Sequence, residues 1–333
     1  MHPAAIQLSR KFSIALACVA ALAPGAAPAQ EWKPARNVEI IVAADAGGSS
    51  DRSARVVQKL LAANPAFPSV SVNNRPGGAG TVAWTALSQH GGDPHYIATF
   101  SSTMLTNQIL GVGKLTYHDF TPLTIMLREY VTVAVGADSP IASGKDLMDR
   151  LRKDPSSVSF TFASAPGNHN HVIIGMILRA AGADPKKAKV IVQKSGGQSI
   201  TAVLGGHIDV FVGAPANVVP HLGGKARVIG ISAPQRQAGA LAGLPTLKEQ
   251  GMDAVFFSWR GFIGPKSLTS QQIAFCDQAF ARAVQGDDWK KDVEQNVWAE
   301  DFMASAATRK HLDSEHQLLG RIMGDLGVIP EKK

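Results

Sequence analysis

Val38-Glu39-Ile40-Ile41-Val42-Ala43-Ala44-Asp45-Ala46-Gly47-Gly48-Ser49-Ser50-Asp51 passes from an apolar run into a glycine turn. Val38 to Val42 reads as a buried strand, and Val56, Val57, Leu60 and Leu61 then recur at helical spacing, so a helix is expected from Asp51. The same strand, loop and helix order repeats outward. Val70 to Val72 reads as a strand, Val82 to Leu87 as a helix, and Tyr96 to Phe100 as a third strand. After Pro140 a second series follows: helix 144–151, strand 158–162, helix 172–181, strand 190–192, helix 199–204, then strands 208–212 and 227–232. Alternation of this kind implies parallel sheets covered by helices.

Two extended stretches, Tyr130 to Val135 and Val255 to Ile263, lead into and out of the second series, and the rest of the C-terminal third is helical (270–284 and 307–323). Two crossings between two α/β series form a hinge. The expected architecture is therefore two-lobed, with residues 30–130 plus 256–333 in a discontinuous first lobe and 131–255 in the second. Ligands in such folds sit between the lobes, where strand C-termini and helix N-termini meet.

The chain opens with Arg10 and Lys11, an apolar run from Phe12 to about Leu22, and the small-residue triplet Ala27-Pro28-Ala29. This has the form of a cleaved secretory signal, residues 1–29, so the mature chain is expected to be exported. The run is shorter than the roughly 20 apolar residues of a membrane span. Cys18 admits a lipid-anchor reading, but it sits inside the apolar core with Ala15 three positions before it. Without the leader, Cys276 is the single cysteine, so no internal disulfide is available. Phe275, Ile273 and Phe280 around it read as a core helix face.

The whole chain has 33 Lys+Arg against 26 Asp+Glu, a mild excess with the basic residues scattered. No clustered basic stripe with aromatics suggests nucleic acid, and no basic amphipathic helix suggests a membrane surface. A small anionic ligand is compatible with this balance, as is an ordinary soluble surface.

Four loops carry candidate chemistry, each leading into a helix. In Ala46 to Asp51, glycines allow close approach, and exposed amides at a helix start favour an anion by about 0.3–1 kcal/mol per charge. Asp51 is a candidate cap, and Ser49 or Ser50 a donor; an ordinary strand-to-helix turn fits equally well. The loop Asn73 to Thr81 adds Arg75, which fits a structural turn paired to an acid. The third, Ala163 to His171, offers Ser164, Gly167, Asn168, His169 and His171, and Lys194 to Ser199 starts a further helix. No phosphate-binding or dinucleotide glycine motif occurs, and no GxSxG elbow. His169 and His171, with His207 or His221, leave a metal-assisted hydrolase as a rival, and loop histidines more often cap or hydrogen-bond.

At these loops the chain resembles the periplasmic solute-binding proteins of the tripartite tricarboxylate transporters, also called Bug receptors. The resemblance runs through Ile40 to Asp51, Asn74 to Gly77, Ala163 to His171, Leu204 to Val210, Gly224 to Val228, Leu244 to Gly251 and Ser258 to Gly261. It implies a Venus-flytrap binding protein, not an enzyme, without cofactor, that passes a small carboxylate to inner-membrane permease subunits. A monomer is expected. On that resemblance Gly47, Gly48, Ser49 and Asp51 serve the ligand from the first lobe, and Ser164, Gly167, Asn168 and His169 from the second. Ser101, Thr103, Ser195 and Gly196 line the sides, and Trp259 and Arg260 the hinge wall. Ala43, Ala44 and Ala46 depart from the family's usual Pro-Phe-x-Pro, which implies a reshaped wall. Gly213-Ala214 stand where many members carry an Asp that meets a substrate amine. Arg260 is either an additional carboxylate partner or an outward hinge arginine paired to an acid. The expected ligand is a di- or tricarboxylate or an aromatic acid; a receptor for a neutral solute remains the other binding reading.

Overall fold

Ile40 and Ile41 are both fully buried, so the first strand has a helix layer on each side. Val38, Ile40 and Val42 pack with Val57, Leu61, Phe280 and Trp289, whereas Ile41 packs with Trp84, Leu87, Phe100 and Met104. A period of two thus divides one strand between two cores. The computed structural model describes residues 31–164, 166–325 and 329. The secretory signal read over residues 1–29 lies outside the described residues, as does Ala165.

In chain order the elements are β1 (Val38–Val42), α1 (Ser49–Ala62), β2 (Val70–Asn74), α2 (Thr81–Ser88), β3 (Tyr96–Phe100), α3 (Ser102–Leu110) and β4 (Thr121–Tyr130). Then come β5 (Thr132–Gly136), α4 (Gly144–Lys153), β6 (Ser159–Ala163), α5 (His169–Ala180), β7 (Lys189–Gln193), α6 (Gly196–Leu204), β8 (Val210–Gly213) and β9 (Ala226–Ile231). The chain finishes with β10 (Phe257–Gly264), α7 (Ser270–Ala283), α8 (Asp287–Asn296), β11 (Ala299–Ala304) and α9 (Ser305–Asp325). Among the described residues no helix is long and apolar enough to cross a membrane.

Two sheets result. One has the order β11-β4-β10-β3-β1-β2 and the other β7-β6-β8-β5-β9. The expectation of parallel sheets needs correction. β1, β2 and β3 pair in parallel, but β10 is antiparallel to both β3 and β4, and β11 to β4. In the second sheet β5 runs antiparallel to β8 and β9. The cause is the double crossing: β5 and β10 are entered from the other sheet and so run against the helix-connected strands.

The first crossing is one residue, Val131, between β4 and β5; the second follows β9 and re-enters at β10. Ser232 ties them together. Its amide donates to the Val131 carbonyl at 2.8 Å, its hydroxyl oxygen accepts from the Val131 amide at 2.8 Å, and its hydroxyl donates to the Phe256 carbonyl. These bonds are buried and tie the two crossings to each other.

Candidate functional site

Five helices begin at one cavity of ≈ 290 Å³ between the sheets, a volume at the lower end of small-molecule sites. Gly48 to Ser50 bring the start of α1, Gly77 to Gly80 that of α2, and Ser101 and Thr103 that of α3. Asn168 to Asn170 bring the start of α5, and Ser195 and Gly196 that of α6. Each helix start directs N–H groups and a partial positive charge inward, so the assembly favours an anion.

The two walls differ in how these starts are satisfied. No side chain caps α1 or α2, whose N-caps are Gly48 and Gly80. Ser101 caps α3, Asn168 accepts from the amides of Asn170 and His171 at the start of α5, and Ser195 accepts from the Gln198 amide on α6. Residues Gly77, Gly78, Ala79 and Gly80 all have positive φ (121°, 54°, 55° and 96°). Glycine relieves the strain at three of them, and a Cβ on Gly80 would meet the Trp84 ring at 2.8 Å. This exposes the loop backbone to the cavity.

Asp51 does not line the cavity. It is buried and accepts from the Gly47 amide at 2.8 Å, Asn74 Nδ2 at 2.9 Å and Arg55 Nε at 3.0 Å. Burial would raise its pKa, but Arg55, the Gly47 amide and Asn74 outweigh this and hold it below the usual carboxylate value. Asp51 therefore shapes the first loop, and Gly47 is the residue it grips. Asn73 bonds Glu39 at 2.9 Å, while Arg75 is exposed and away from the cavity.

On the hinge wall, strand alternation separates the neighbouring Trp259 and Arg260. Trp259 points behind the sheet, packs edge-on against Phe100, and donates from Nε1 to Glu315 on α9. Arg260 points into the cavity, buried at 7% exposure. Its partner is Glu129 on β4, 2% exposed, with Arg260 Nη2 at 3.1 Å from Oε2. Arg260 Nη1 donates to the Trp259 carbonyl at 3.0 Å and to Ser258 Oγ, while Nε has no partner. Ser49 Oγ donates to Glu129, 3.0 Å from each carboxylate oxygen. The inward arginine is thus also the acid-paired one. Ser49 keeps only its lone pairs for a ligand.

In the opposite wall Ser164 is exposed at the rim with φ 87°, and strain of this kind, about 1–3 kcal/mol, gathers at ligand loops. Asn168 is held by its capping bonds and donates to the Ala163 carbonyl at 2.8 Å. His169 and Asn170 are buried at 8% and 6% exposure, with Nδ1 and Oδ1 respectively unpartnered. Burial first, then the Arg260 charge, holds His169 well below the usual histidine pKa, so it is neutral near pH 7. His171 Nδ1 instead accepts from the Gly167 amide at 3.0 Å. Gly167 is buried and does not line the cavity: with φ 82°, a Cβ there would lie 2.1 Å from Leu110 Cδ1 of the facing wall. Among the described residues no three His, Cys, Asp or Glu converge as a metal site.

Of the residues singled out from sequence, the cavity gathers Gly48, Ser49, Ser101, Thr103, Ser164, Asn168, His169, Ser195, Gly196 and Arg260. Gly47, Asp51, Gly167 and Trp259 stand behind or beside it. Sequence reasoning missed Glu129, Asn170, Asn217 and the aromatic wall of Trp84, Phe100 and Phe211. A buried run from Pro122 to Leu127 was the available signal that Glu129 belongs to a central strand.

The chain matches the family model described as the tripartite tricarboxylate transporter family receptor over residues 53–328. A UPF0065 protein of Bordetella bronchiseptica is 28% identical over 69% of this chain and 67% of its own length. Protein BugT of Bordetella pertussis is 26% identical over 76% of this chain and 77% of its own. Among solved structures, a Rhodopseudomonas palustris protein with adipate has TM-score 0.80 at 19% identity, covering 88% of this chain and 98% of that one. MatC from the same organism, with malate, has TM-score 0.72 at 19% identity over 88% and 98%. These neighbours show the two-lobed binding-protein fold, and the family model, spanning most of the chain, shows descent. This chain belongs to the tripartite tricarboxylate transporter family of periplasmic receptors, which are binding proteins and not enzymes.

Proposed function

We propose that the chain captures a small carboxylate between its lobes and delivers it to inner-membrane permease subunits of the tripartite tricarboxylate type. The observation that carries this reading is the meeting of five helix N-termini, two of them without side-chain caps, around a cavity with buried unpartnered polar atoms. Residues 30–130 with 256–333 would move as one lobe and 131–255 as the other, about the Val131 and Ser232 pivot. Export by a leader over residues 1–29 and a monomeric receptor complete the reading.

The ligand carboxylate would rest on the amides of Ser49 and Ser50 and of Gly78 and Ala79, since those of Gly48 and Gly80 already donate to the Asp45 and Gly77 carbonyls. Asn168, His169, Asn170, Ser195 and Gly196 would approach it from the other side, with Ser101 and Thr103 beside it and Ser164 at the rim. Closure expels water and strengthens each of these contacts. The adipate and malate held by structural neighbours support a carboxylate for this chain. A dicarboxylate, a tricarboxylate and an aromatic acid all belong to that class.

Thermal-shift screening tests the reading, because a ligand at 100 times its dissociation constant adds about 2.7 kcal/mol of stability. At least one small carboxylate is expected to raise the melting temperature, and sugars and neutral amides are not. The reverse pattern would make the chain a neutral-solute receptor.

A further inference from the structure

We propose that Glu129 and Arg260 together read a group that both donates and accepts a hydrogen bond, so that the ligand is a monocarboxylate bearing a hydroxyl or primary amide. This deepens the carboxylate reading above and rests on it. It departs from the expectation of a di- or tricarboxylate.

The first support is the charge balance. Four charged residues line the cavity: Asp45, Glu129, Lys194 and Arg260. Asp45 and Lys194 are exposed, so solvent and salt screen them. The buried charges are one carboxylate and one guanidinium in direct contact, which cancel. Behind the first loop Asp51 is matched by Arg55. Arg52 donates to the Gly47 carbonyl at 2.8 Å rather than to an acid, and its charge acts on Arg260. One positive charge therefore remains near the start of α1, where one ligand carboxylate is expected. A second carboxylate would enter a low-dielectric space beside Glu129, with Arg260 already engaged.

The second support is the geometry of the pair. A carboxylate has about four acceptor positions. Glu129 receives the Ser49 hydroxyl and Arg260 Nη2, which leaves room for a further donor. Arg260 Nε carries an N–H, is buried, and has no partner. Acceptor and donor thus lie side by side. A hydroxyl or primary amide answers both, a second carboxylate answers only the donor, and an ammonium only the acceptor.

Calorimetric titration of the full chain with butanoate, 4-hydroxybutanoate, succinamate and succinate, and with the matching three-, five- and six-carbon sets, tests the proposal. At the best chain length the hydroxy or amide acid is expected to bind about tenfold or more tighter than the dicarboxylate, the scale of one hydrogen bond to a charged group. In Glu129→Gln, which removes the negative charge and frees Arg260, the order between hydroxy acid and dicarboxylate is expected to reverse. Wild-type protein that prefers the dicarboxylate, or a Glu129→Gln ratio equal to wild type, overturns the proposal and leaves carboxylate capture standing. Binding of no acid in any set overturns both. The wild-type series decides alone if Glu129→Gln folds poorly.

Discussion

The two walls of the cleft are built by opposite rules. On the first-lobe wall the polar side chains satisfy one another: Ser49 and Arg260 converge on Glu129, and Asp51 takes Gly47, Asn74 and Arg55. What that wall leaves open is mainly backbone, at the uncapped starts of α1 and α2. On the second-lobe wall the backbone is capped by Asn168 and Ser195, and side-chain atoms are left open, His169 Nδ1 and Asn170 Oδ1. Helix amides bind a carboxylate with little discrimination, while positioned side chains discriminate among what is attached to it. The difference teaches that the first wall offers a ligand open helix starts beside one preformed ion pair, whereas the second offers it unpartnered side-chain atoms.

The contrast breaks most visibly through stability. Arg260→Ala leaves Glu129 buried without its cation and is expected to cost about 3–5 kcal/mol, read by urea unfolding. His169→Phe on the other wall removes an atom that has no partner, so stability should stay within about 1 kcal/mol of wild type. Its effect should appear instead in calorimetry, as about a tenfold loss of carboxylate affinity. A His169 variant that unfolds while Arg260→Ala does not would reverse the assignment of the walls.

The smallest expected effect concerns pH. A histidine titrating at its ordinary value would gain charge as pH falls from about 8 to 6 and tighten anion binding over that span. His169 is held well below that value by burial and by Arg260, so it stays neutral across the window. Affinity for an acid whose own carboxyl titrates below about 5 should therefore be flat between about pH 6 and 8. A clear rise toward pH 6 would mean that His169 is charged in the complex.

Much of this arrangement is readable from residues alone, because it depends on local signals. The glycine loops before α1, α5 and α6 announce themselves, and the strands and helices around them fall within a few residues of their expected bounds. Trp259 and Arg260 show a limit that a stricter rule removes: adjacent strand residues face opposite sides, so one cleft wall cannot hold both. Glu129 marks a deeper limit. Its partner lies 131 positions away, and only the antiparallel pairing of β4 with β10 places Glu129 opposite Ser258 and beside Arg260. The mixed sheets have the same origin, since strand direction at the crossings is set by topology and not by local pattern.

A structure of the chain with its tightest-binding carboxylate tests the account most directly. The ligand carboxylate oxygens are expected about 2.7–3.2 Å from the amides at the starts of α1 and α2, with the Glu129–Arg260 pair intact. A carboxylate seated instead on Arg260, with Glu129 displaced, would contradict it.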